Sequence, residues 1–138
     1  MLTNQIALVT GASRGIGQAI AYALGNQQAI VIGTATSEAG AQNISDGFKE
    51  NGITGTGMVL NVADAESIKA CLKIINNDYS PPDILVNNAG VTRDTLLMAM
   101  KDEQWDEIIN TNLTSIFRMT KAVVRPMMKK RSGRIINI

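Results

Sequence analysis

Short apolar runs of strand character alternate with longer segments of helical spacing along all 138 residues of the chain. The runs fall at 6–10 (IALVT), 29–33 (AIVIG), 58–61 (MVLN), 83–87 (DILVN) and 134–138 (RIINI). Between the first two, residues 15–26 place Ile16, Ile20, Ala23 and Leu24 at the spacing of one helix face. A second helix is expected over 37–51 with Ser37 as its N-cap, and a third from an Asp64 cap to residue 78 with Glu66 near its positive end. Ser80, Pro81 and Pro82 end the third helix. A loop over 88–100 leads to a long helix over 102–130, whose last turns Pro126 should bend or weaken. Strands separated by helices of this length are joined by crossovers, which gives a parallel sheet with helices on both faces. The expected fold class is α/β: a Rossmann-type doubly wound sheet in a single domain over 1–138. A strand order of 3-2-1-4-5 would leave the fifth run as an apolar edge.

Composition removes several kinds of chemistry. The sequence contains one cysteine and no histidine, so His/Cys zinc sites and His-dependent nucleophilic catalysis are absent from it, and no metal site is expected. Cys71 lies in the apolar pattern of the third helix and is expected to be a packed thiol, which suits a reducing, cytoplasmic setting. The net charge of +1 gives no global field that would favour nucleic acid. No apolar run approaches the roughly 18 residues that suggest a membrane span, and the opening residues lack the pattern of a secretory signal.

The segment Thr10-Gly11-Ala12-Ser13-Arg14-Gly15-Ile16-Gly17 joins the first strand to the first helix, with glycines at 11, 15 and 17. Gly11 permits a tight turn, Gly15 lets backbone approach a pyrophosphate, and Gly17 lets the helix pack closely on the strand. The helix N-terminus adds free N–H groups and a positive dipole end. A ligand-free glycine turn is the bland alternative, but the strand–loop–helix context favours phosphate binding. The spacing is G-x-x-x-G-x-G, and no Gly-Lys-Ser/Thr follows, so this is not a Walker loop.

TGASRGIG resembles the T-G-x-x-x-G-x-G signature of the short-chain dehydrogenases/reductases. Asn87-Asn88-Ala89-Gly90 resembles that family's N-N-A-G motif, and Leu60-Asn61-Val62 its polar-Val motif. The motifs come in the family's order, and the resemblance covers the whole chain. The wider match in GTATSE, ILVNNAGVTRD, LLMAMK and MMKKRSGRI is similar to the bacterial 3-oxoacyl-[acyl-carrier-protein] reductases of type II fatty acid synthesis.

An acid just past the second strand would bind a ribose 2′-OH and repel a 2′-phosphate. Here residues 33–37 read GTATS, and the first acid is Glu38. Thr36 can offer a hydroxyl to a phosphate and Arg14 a charge-assisted contact, so NADP(H) is the expected cofactor. Arg14 taken alone also reads as a solvated surface arginine. Under the resemblance, Gly11, Ala12, Ser13, Arg14, Gly15, Ile16 and Gly17 form the cofactor loop. Asn61 and Val62 flank the adenine, and Asn88, Ala89 and Gly90 line the path towards the nicotinamide ribose. On the residues alone, Asn87 and Asn88 read equally well as strand-end turn chemistry.

Trp105, Ile108, Ile109, Ile116, Met119 and Val123 form an apolar stripe on the long helix, and Asn112 falls on it. A structural asparagine tying backbone is as reasonable as a catalytic one. The resemblance matches Asn112 to the Asn of an Asn-Ser-Tyr-Lys tetrad, with the role of holding a water in a proton relay. The remaining three members are expected after the fifth strand, beyond Ile138. Tyr22 and Tyr79 are not substitutes, because neither is followed four residues later by Lys. A piece truly ending at Ile138 is expected to be poorly folded and inactive, at most a non-catalytic NADP(H)-binding or oligomer-forming unit.

Arg125, Lys129, Lys130, Arg131 and Arg134 form the one local basic cluster. It reads either as cations favoured at a helix C-terminus or, under the resemblance, as a contact for acyl carrier protein, with Arg131 as the matched position. No recognition helix or aromatic platform supports nucleic-acid binding. The resemblance further implies a homotetramer paired through the long helix, for which Leu113, Phe117 and Val124 are candidates. Its implied activity is NADPH-dependent reduction of a 3-oxoacyl thioester on the carrier protein to the (3R)-3-hydroxyacyl thioester. A sibling acting on acetoacetyl-CoA or another ketone is the nearest alternative.

Overall fold

The computed structural model describes residues 1–91 and 95–138. Part of the expected loop over 88–100, residues 92–94, therefore lies outside the described residues. Five parallel strands form one sheet in the order β3-β2-β1-β4-β5. They are β1 Ile6–Val9, β2 Ile30–Ala35, β3 Gly55–Val59, β4 Ile84–Asn87 and β5 Arg134–Asn137. The helices are α1 Gly15–Asn26, α2 Glu38–Glu50, α3 Ala65–Asp78, α4 Asp102–Ile108 and α5 Ser115–Lys130. The alternation read from the sequence is thus a Rossmann-type α/β sheet with the expected strand order.

Side chains alternate across each strand, and the two faces build two cores. Ile6, Leu8, Ile32 and Leu85 join Ile68, Leu72 and Ile75 of α3 and Met119, Val123 and Met127 of α5. Ala7, Val9, Val31 and Val86 join Ala21 of α1 and Ile44 and Phe48 of α2 on the other face. Cys71 is buried in the first core, and its thiol lies 3.9 Å from Met58 Sδ. Ser37 caps α2 by accepting from Gly40 N–H, and Asp64 caps α3 by accepting from Glu66 N–H, both as expected.

Several boundaries differ from the sequence reading. β3 begins at Gly55 and ends at Val59, earlier than the expected 58–61. Its glycines look wrong for a strand, yet α2 crosses so closely that a Cβ at Gly57 would lie 2.0 Å from the Ala41 carbonyl oxygen. β2 runs on to Ala35 because its register with β3 continues to Ala35↔Val59. In α1 the buried face is Gly17 and Ala21, while Ile16 is 63% exposed.

The expected single helix over 102–130 is interrupted. Residues Ile109–Thr114 widen into a π-turn between α4 and α5. The buried line of α5 is consequently Ser115, Met119, Val123 and Met127; Ile116 is only half-buried. Trp105, counted in the apolar stripe, is 55% exposed. The stripe assumed one uninterrupted helical register, and the π-turn changes it. Pro126 does not stop α5, which continues to Lys130. No helix among the described residues is long and apolar enough to cross a membrane.

Candidate functional site

Parallel strands bring their carboxyl ends to one edge of the sheet, and ligands of such sheets bind there, where the strand order reverses. In this chain the reversal falls between β1 and β4, whose exits are the glycine loop and Asn88. A cleft of about 420 Å³ opens at that point. Gly11, Ser13, Arg14, Gly15, Ile16, Thr36, Asn61, Val62, Asn88, Ala89 and Gly90 all line it. Among the described residues no carboxylate belongs to this lining, and Arg14 is its one charged side chain. A second hollow of about 530 Å³ shares Arg14, Ile16, Asn88, Gly90 and Val91 and adds Asn112 and Ile138.

Two expected loop residues lie beneath the cleft rather than in its wall. Ala12 is buried, and its N–H donates to Thr34 O at 2.9 Å, tying the loop to β2. Gly17 is the packing glycine: a Cβ there would lie 2.1 Å from Gly11 O and 2.5 Å from Asn88 Nδ2. The close contact is therefore with the loop and Asn88, not with the strand itself. Gly15 has φ +60 and nothing within 4 Å of its Cβ position, so its bare backbone faces open space. Arg14 is the N-cap of α1 but makes no side-chain cap, and no acid occupies the first turn. The N–H groups at that helix end keep their capacity to meet an anion.

Thr10 organises the exits of β1 and β4. Its hydroxyl oxygen accepts from Asn88 N–H at 3.0 Å and Ala89 N–H at 2.9 Å. Asn88 returns the tie, its amide donating to Thr10 O at 3.2 Å and Gly11 O at 3.0 Å. Asn87 donates to Asn137 Oδ1 at 2.9 Å, joining the ends of β4 and β5. Strand-end chemistry and cleft lining therefore coincide at Asn88. The sequence reading placed Thr10 at the head of the glycine-loop signature but gave it no role; the signal was a hydroxyl closing an otherwise apolar buried strand. It also missed Thr111 and Val91, both in the cleft wall.

Asn112 lies in the π-turn, and both polar atoms of its side chain are engaged. Oδ1 accepts from Val91 N–H and Nδ2 donates to Val91 O, both at 2.7 Å. The backbone-tying role is what the side chain does here. π-Turns of this kind recur at functional sites.

Asn61 Oδ1 accepts from Ala63 N–H at 3.0 Å, and Val62 is buried between cleft and core. Tyr22 instead packs edge-on against Phe48, and Tyr79 ends α3; neither lines the cleft. Burial pushes the Cys71 thiol up to about 11 from its ordinary 9.0. Among the described residues no cluster of carboxylates or thiols could hold a metal.

Arg131 lies elsewhere. It closes α5 in the left-handed conformation, φ 52, just before β5 enters the sheet. It therefore sits towards the amino-terminal edge of the strands, away from the glycine loop. Lys130 of the same basic cluster pairs with Asp83 Oδ1 at 2.5 Å, while Asp83 Oδ2 accepts from Ile6 N–H at 2.8 Å. That cation serves the fold. Leu113 of the π-turn and Phe117 of α5 are exposed, and with Val124 and Ile135 they border an apolar groove.

A strand-order switch with an uncapped helix end and a glycine loop defines a Rossmann-type sheet with an anion-receptive cleft, and the chain belongs to the short-chain dehydrogenase family, which matches residues 5–138. The chain is 64% identical over 137 residues to the 3-oxoacyl-[acyl-carrier-protein] reductase FabG of Vibrio harveyi. It is 62% identical over 135 residues to the protein of that name from Escherichia coli K12, and 56% over 137 to that of Pseudomonas aeruginosa. These matches take in 98–99% of the chain but 54–56% of the relatives, so the chain spans about half the length of the curated relatives it matches.

Proposed function

We propose that the full-length protein reduces 3-oxoacyl-[acyl-carrier-protein] to the (3R)-3-hydroxyacyl thioester with NADPH. The observation that carries the cofactor half is the wall of the cleft, where the described residues present one cation, Arg14, and no carboxylate. A 2′-phosphate would be stabilised there by the guanidinium and the Thr36 hydroxyl, with no described carboxylate in the wall to repel it. The residues fit the rest of a dinucleotide. The open backbone at Gly15 and the uncapped start of α1 suit the pyrophosphate. Asn61 and Val62 would flank the adenine, and Asn88, Ala89 and Gly90 would lead to the nicotinamide ribose. When bound, the cofactor supplies a hydride to the ketone carbon.

Asn112 is assigned to the proton path. Its assigned role is to hold a relay water, while its amide ties the Val91 backbone. Arg131 is assigned to the acidic carrier protein, and the exposed Leu113 and Phe117 with Val124 to pairing between copies in a homotetramer. A reducing, cytoplasmic setting suits the lone buried thiol.

The carrier-protein assignment rests on the relatives' printed activity and is tested by comparing thioesters. The full-length protein should reduce acetoacetyl-[acyl-carrier-protein] with a kcat/KM at least about tenfold above that for acetoacetyl-CoA. Equal values would leave a general ketone reductase.

A further inference from the structure

Arg118 of α5 reaches two groups on different segments. Nη1 donates to Asn110 Oδ1 at 2.8 Å and to Ala63 O at 3.2 Å. Asn110 Nδ2 leans on the same Ala63 carbonyl at 3.5 Å. Ala63 closes the turn that carries Asn61 and Val62, and its N–H is already held by Asn61 Oδ1 at 3.0 Å. The turn is thus gripped at both ends of one residue, on one side by its own Asn61 and on the other by Arg118. Asn110 belongs to the π-turn, and two residues further on Asn112 grips Val91. One irregular turn therefore holds the wall of the cleft in two places.

Both acceptors of Arg118 are neutral, so the guanidinium is not simply neutralising an acid at these contacts. A planar donor on a long stem can bridge two segments with fixed geometry, which a point charge on a flexible stem does less well. The contacts are part-buried, where a lost charge-assisted bond leaves a carbonyl short of a partner.

We propose that Arg118 is a positioning residue for the adenosine half of the cofactor: through Asn110 and the Ala63 carbonyl it sets the Asn61–Val62 wall and joins it to the π-turn. This rests on the NADP(H) reading of the cleft. The 2′-phosphate contacts of Arg14 and Thr36 are not part of the network, so affinity should fall without loss of discrimination.

The test is calorimetric titration of the full-length protein with 2′,5′-ADP, an adenosine-half probe, in wild type, Arg118→Met, Arg118→Lys and Asn110→Ala. Arg118→Met should weaken binding by about tenfold, with Arg118→Lys restoring part of it and Asn110→Ala falling between. The ratio of NADPH to NADH affinity should stay within about twofold of wild type. A merely structural arginine would lower the unfolding temperature and leave the affinity of the folded protein unmoved. Should Arg118→Met not fold, Asn110→Ala carries the same test. Binding of 2′,5′-ADP within about twofold of wild type in the folded variants would overturn the proposal. Failure of the wild type to bind 2′,5′-ADP would overturn the NADP(H) reading itself, a separate outcome.

Discussion

Gly15 and Gly17 stand two residues apart in the same loop and should fail in different ways. Alanine at 17 drives a methyl to 2.1 Å from a backbone oxygen, a clash no rotamer relieves. Gly17→Ala should destabilise the full-length protein by about 1–3 kcal/mol, read from a urea melt. Alanine at 15 meets open space but carries φ +60, so its folding cost should be nearer ~1 kcal/mol. Its larger effect should be on cofactor affinity, because the new methyl enters the cleft. Cys71 supplies a pH prediction. Its thiol is held protonated by burial up to about 11, against 9.0 ordinarily. Between those values the unfolded chain releases a proton that the folded chain keeps, so this contribution to stability is whole below pH 9.0 and is lost as pH rises towards 11. Alkylation of Cys71 in the folded protein at neutral pH should be slow, and rapid once urea is added. The need for a bare backbone at Gly11, Gly15 and Gly17 was legible in the sequence because spacing and context specify it, whereas the surface that Gly17 meets, Gly11 and Asn88, was not. Nor was the role of Thr10, because its function lies in two N–H groups that belong to another strand's exit.

At the scale of elements, the π-turn is the feature periodicity could not reveal. A uniform 3.6-residue reading carried the apolar stripe straight through it, which put Trp105 inside and counted Ile116 rather than Ser115. Asn112 was still found, because an amide on an apolar face demands partners whatever the register. Its partner, the Val91 backbone, comes from a distant loop and could not be read. Asn112→Ala removes both bonds to Val91 and should cost about 1–3 kcal/mol, read from thermal or urea unfolding. Asn112→Asp should recover the Val91 N–H contact but lose the donor to Val91 O, giving an intermediate loss. β3 was misplaced for a different reason: glycine is a poor strand former in isolation, and only the close passage of α2 makes Gly57 necessary.

For the molecule as a whole, the sheet order followed from right-handed crossovers and the placing of the glycine loop after the first strand. The same order puts β5 at an edge, with Ile136 on it 45% exposed, while Phe117 on α5 is 64% exposed. Residues 1–138 expressed alone should therefore self-associate, as light scattering would reveal. A well-behaved monomer would count against that expectation.

On the proposed function, the cleft between β1 and β4 takes NADP(H) through Arg14. Titration of the full-length protein with NADPH and NADH, before and after Arg14→Ala, tests it most directly. Wild type should favour NADPH by at least about tenfold, and Arg14→Ala should bring the two close to parity by weakening NADPH alone. A preference for NADH in wild type, or discrimination unchanged by Arg14→Ala, would contradict it.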